Sequence, residues 1–125
     1  INHNGNVVRM WRDTHNSDAR GLWWMPPHVA TYMKKSIFLS YGMYDQSYKI
    51  SGDYEFFCRL PRSIVREFVH IDEIVVNQLY GGASLTLSNF YRKNHEDMRV
   101  LQKHSKSPLK DFISKKVSKL KQYVL

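Results

Sequence analysis

The apolar pattern of this chain predicts an α/β domain, a short mixed sheet with flanking helices, on three observations. Apolar and β-branched runs at 7–12, 28–33, 66–71 and 74–79 read as strands. Segments 37–41, 51–60, 88–104 and 108–125 carry apolar residues at helical spacing. Glycine and proline punctuate the junctions between them.

Val7, Val8, Met10 and Trp11 make the first strand, followed by a loop at 13–21 rich in Asn, Ser, Asp and His. Pro26 and Pro27 force an extended approach into 28–33, which reads as a buried strand. A short helix over 37–41 stops at Gly42, and 45–49 forms a turn. The next helix opens at Ser51 and ends before Pro61. Strands 66–71 and 74–79 flank the turn acids Asp72 and Glu73, and Gly81-Gly82 breaks the second. Phe90, Tyr91, Met98 and Leu101 give 88–104 its helical stripe. Pro108 opens a last helix whose stripe is Leu109, Phe112, Ile113, Val117, Leu120 and Val124, with Lys110, Lys115, Lys119 and Lys121 on the remainder. The organisation expected is a main unit over 1–105 and a basic amphipathic helix over 106–125.

With 125 residues, 42% of them hydrophobic and 14% aromatic, the chain can own a core. A formal charge of +8 asks for an anionic partner: nucleic acid, a phosphorylated small molecule or an acidic membrane. One cysteine, Cys58, excludes an internal disulfide and a cysteine-rich zinc cluster. No stretch approaches the ~20 apolar residues of a membrane span, and the first residues lack a signal-peptide core. A cytoplasmic location is expected, including a peripheral one at the inner face of the plasma membrane.

Ile50 to Leu60 carries the most chemistry. Asp53, Phe56, Phe57 and Leu60 fall at i, i+3, i+4 and i+7, which sets one carboxylate at the head of an apolar face. A partly desolvated acid in such a place suits a general base. It equally suits a first-turn acid favoured by the helix dipole, with Ser51 as cap. Glu55 falls on the opposite side, four residues before Arg59, as an exposed ion pair.

Met25-Pro26-Pro27-His28-Val29-Ala30-Thr31-Tyr32, the Gly42-x-Tyr44-Asp45 turn, Tyr48-Lys49-Ile50-Ser51-Gly52-Asp53-Tyr54-Glu55 and Tyr80-Gly81-Gly82-x-Ser84 together resemble family 2 glycosyltransferases, in the order of the C-terminal half of their GT-A catalytic domain. The resemblance runs from about 6 to about 105. It implies an inverting transferase that moves a sugar from a nucleotide-sugar donor to an acceptor hydroxyl of a sugar or lipid-linked acceptor, as in bacterial polysaccharide or glycolipid synthesis. It makes Asp53 the catalytic base and a divalent metal, Mg or Mn, the stabiliser of the leaving diphosphate. The chain has no Asp-x-Asp and no glycine-rich or strand-helix alternation ahead of Val7. The resemblance places both upstream, so the expectation is a fragment without its donor half or metal ligands, inactive by itself.

His28 matches a histidine at the edge of that active site, and reads equally as a structural donor. Val29 stands where the family often has glutamine. Gly81, Gly82 and Ser84 would let backbone amides approach a phosphate or acceptor, or simply form a turn. Trp24, with Trp23, offers a ring to stack on a sugar or to fill the core. The lysine-rich tail over 107–125 suits an anionic membrane surface, or else packs on protein with its lysines solvated. No nucleic-acid reader motif is present and the lysines concentrate in one tail, so nucleic acid is not an expected partner. The rival to an enzyme is a noncatalytic basic module that binds anionic lipid or polymer through the last helix.

Overall fold

Residues 5–7, 9–11, 21–79 and 86–120 are described by the computed structural model. Helix accounts for 54% of them and strand for none, which overturns the expected α/β fold and with it the mixed sheet of a GT-A domain. A 3-10 turn spans His28–Ala30 and is followed by α1 (Lys35–Tyr41), α2 (Gly52–Arg59), α3 (Arg62–Arg66), α4 (Leu87–His104) and α5 (Pro108–Leu120).

Three of the four expected strands fail for a visible reason, and the first, over 7–12, includes residues outside the described ones. The paired prolines lead into the 3-10 turn, closed by the Thr31 hydroxyl on the Pro27 carbonyl at 3.0 Å. Arg66 closes α3, so the third run starts inside a helix. Residues 67–79 then continue outside any strand, and Val69, Ile71 and Ile74 face solvent. An apolar extended run becomes a strand only where another edge accepts its backbone bonds, and no described segment offers one.

The helices follow their local chemistry. Gly42 ends α1 at φ +81° and ψ 165°, a region open essentially to glycine alone. Arg59 reaches across from α2 to the released carbonyls, with Nη1 donating to Tyr41 O at 2.8 Å and Nη2 to Met43 O at 2.7 Å. Leu60-Pro61 stops α2, and Arg62 caps its last turn through the Phe57 and Leu60 carbonyls. Thr86 caps α4 by accepting from the Asn89 amide.

Helix α2 is enclosed on two sides. Phe56, Phe57 and Leu60 pack with Trp24, Val65 and Phe68, and Phe38 stacks on Phe56 at 4.9 Å between centroids. Tyr54 and Cys58 face Val100 and Leu101 of α4 and Phe112 of α5. Burial pushes the Cys58 thiol up to about 12, so it behaves as a small apolar group. The α4 stripe is rotated from the expected one: Val100 and Leu101 are buried, while Phe90 and Tyr91 are exposed.

Polar groups join the two sides. Glu96 of α4 accepts from three successive backbone amides ahead of α2, those of Lys49 (3.0 Å), Ile50 (2.9 Å) and Ser51 (2.9 Å). Ser51 does not cap its own helix; its hydroxyl donates to Asp97 Oδ1 at 2.7 Å. Lys115 of α5 meets Asp97 Oδ2 at 2.9 Å and lies over the Tyr54 ring, with Lys93 3.4 Å from the other carboxylate oxygen. Burial opposes the ionised form of Asp97, but the charges of Lys115 and Lys93 and the Ser51 bond outweigh it and hold the carboxyl below its usual range. Glu96 is likewise held low: its amide donors prevail over burial. Burial lowers Lys115 to about 7 despite Asp97.

Glu96→Ala leaves three amides without their acceptor and is expected to lower unfolding free energy by about 3 kcal/mol, measured by urea denaturation. A pH dependence also follows. Between pH 7 and the ordinary lysine value of 10.5 the unfolded chain binds the Lys115 proton that the folded chain has released, so stability rises with pH. Lys119, lowered to about 8 mainly by burial, acts in the same direction, and Cys58 opposes it above the ordinary thiol value of 9.0. Urea midpoints should therefore climb from pH 7 to 9, and Lys115→Met should flatten that climb.

Candidate active site

The loop that Glu96 clamps is the one that launches α2, so the clamp sets where the second residue of that helix, Asp53, projects. Its Oδ1 accepts from the Tyr54 amide at 2.7 Å, as a first-turn acid does. Its Oδ2 lies 3.1 Å from Nδ1 of His28, on the 3-10 turn that follows the two prolines. Two residues 25 apart in sequence, both singled out for chemistry, thus form one pair.

The pair is open to solvent. The His28 side chain is 45% exposed and that of Asp53 23%, against 1% for Glu55 two residues on. Each carboxylate oxygen has a second lone pair, so Asp53 can hold its amide and imidazole and still accept from an arriving hydroxyl. The imidazole fixes the carboxylate on one side and α2 fixes it on the other. Such a group can receive a proton with little rearrangement.

The other expected site residues are placed differently. Trp24 is 6% exposed and meets Phe57 and Phe68 edge-on at 6.5 and 6.1 Å, so it is a core residue without a free face for a sugar ring. Gly81, Gly82 and Ser84 lie outside the described residues. A concavity of about 340 Å³ lined by Tyr91, Arg92 and His95 sits on α4, and neither Asp53 nor His28 lines it.

Glu55 requires a correction. Far from an exposed ion pair, its carboxylate is buried, 3.3 Å from Arg59, 3.4 Å from Lys103 and 3.3 Å from His104. The helical wheel assigned it to solvent because it assumed a single buried face, whereas α4 covers the second. Glu96, Asp97 and Lys115 were missed as well. Their signal was register: Glu96 and Asp97 precede Val100 and Leu101 by four residues and so share the buried face of α4.

Among the described residues no three His, Cys, Asp or Glu side chains come together so as to hold a metal ion. The described residues thus offer no donor set for the divalent ion that the resemblance implies. Comparison with protein-family models, with curated proteins and with solved structures returns no match.

Proposed function

We propose that this chain carries the acceptor side of a glycosyltransferase active site, with Asp53 as general base and His28 as the group that orients it. The observation that carries this reading is the 3.1 Å approach of His28 to a partly exposed carboxylate at the head of a largely buried helix. The order of the Pro-Pro-His, Gly-Asp-Tyr-Glu and Gly-Gly-x-Ser segments supports it.

In this reading the acceptor hydroxyl donates to Asp53 and loses its proton to that oxygen as its own oxygen bonds to the anomeric carbon of the donor. The bond from that carbon to the nucleotide diphosphate breaks, and its electron pair leaves with the diphosphate. Attack from the opposite face inverts the anomeric configuration. Asp53 supplies what a hydroxyl lacks, a base within hydrogen-bond reach. The chain itself contains no Asp-x-Asp, so the nucleotide-sugar donor and its metal are assigned to other residues of the enzyme.

The test uses protein expressed from the complete coding sequence, with a nucleotide-sugar panel and sugar and lipid-linked acceptors. Asp53→Asn should lower kcat by about 10²–10⁴-fold with the donor KM nearly unchanged. His28→Ala should lower kcat less, about tenfold or more, with partial rescue by His28→Asn. Full activity in Asp53→Asn, or parallel loss of donor binding and fold, would assign the carboxylate to structure alone.

A further inference from the structure

Helix α5 is turned against expectation. The residues it presents to α2 and α4 include Lys115 and Phe112, whereas Leu109, Ile113, Val117 and Leu120 are 65%, 54%, 49% and 66% exposed. At 100° per residue these four fall within about 80° of one another, a single outward stripe. Four large aliphatic side chains in line on a surface mark a contact.

Charge says what the contact is with. Over 86–120 there are nine lysines and arginines and three acids, Glu96, Asp97 and Asp111. All three acids are engaged within the protein: Glu96 by backbone amides, Asp97 by Lys115 and Ser51, and Asp111 by the Ser105 hydroxyl at 2.5 Å. Lys106 and Lys110 are exposed beside the stripe. Lys116 is turned toward α4 instead, its ammonium held by Asn94 and 4.9 Å from the Phe112 ring centre, so it does not join these exposed cations. The α4–α5 surface therefore combines an outward aliphatic row with cations and no outward acid. A second copy of the chain would set these cations against their equals. An anionic bilayer suits both row and cations, with acyl chains for the stripe and headgroups for the lysines.

We propose that α5 lies in the interface of an anionic membrane with Leu109, Ile113, Val117 and Leu120 inserted and Lys106 and Lys110 at the phosphates. The proposal stands whether or not Asp53 is a base.

The full chain is sedimented with vesicles of phosphatidylcholine alone and with one quarter phosphatidylglycerol, at low and high salt. Binding should favour the anionic vesicles by tenfold or more and weaken as salt rises. Ile113→Glu with Val117→Glu should reduce it by at least about tenfold at unchanged helical circular dichroism. Lys106→Ser and Lys110→Ser, which leave the stripe intact, should each reduce it by about fivefold. Equal binding to both vesicles, binding that survives the double glutamate variant, or a dimer in sedimentation equilibrium that this variant dissociates and lipid leaves unchanged would overturn the proposal, the last in favour of a second copy.

Discussion

Two adjacent acids in the middle of α4 hold the rest of this structure together. Glu96 gathers three successive amides of the chain ahead of α2, and Asp97 takes the hydroxyl of the residue where that helix begins. Backbone donors at a helix start have no partner inside the helix and must find one elsewhere. The three amides just ahead of α2 find a partner more than 40 residues away in sequence, so one set of bonds fixes the approach to α2 and locks α4 against it. Lys115 then brings α5 to the same carboxylate. Charged pairs so deeply buried are poor sources of net stability, since desolvation offsets much of their attraction. What they define is register, because few other arrangements bring Ser51, Lys115 and the three amides to the same two acids.

That register connects architecture to chemistry. Asp53 is two residues past the Ser51 amide that Glu96 holds, on a helix whose next five residues are buried. Its carboxylate has little freedom of position, yet it remains in contact with water and with His28. A catalytic base needs both properties, a fixed position and access. Glu55, on the same helix, has the first without the second and serves as an internal hub for Arg59, Lys103 and His104.

Helices α1, α2, α4 and α5 were legible because their signals are local, whereas the five-residue α3 was not, being too short to show a period. Gly42, Ser51, Pro61 and Pro108 mark ends within a residue or two of where the chain turns. The strands were not, because a strand is a relation between segments: the residues of 74–79 have the right character, but pairing depends on an edge that no local window contains. The same limit explains α2 and α5. Helical spacing identified their apolar stripes correctly as stripes but could not say that α2 is covered twice or that α5 turns its stripe outward. The proximity of His28 and Asp53 was likewise invisible, since it depends on how the Pro-Pro turn folds back on α2.

Amide hydrogen exchange at Lys49, Ile50 and Ser51 measures the central clamp most directly. These amides lie outside any helical ladder, and each has Glu96 as its acceptor. Ile50 and Ser51 are expected to exchange at least about 100-fold slower than in an unstructured peptide, comparable to amides inside α2. Free-peptide rates at these amides, with α2 and α4 still protected, would contradict the clamp.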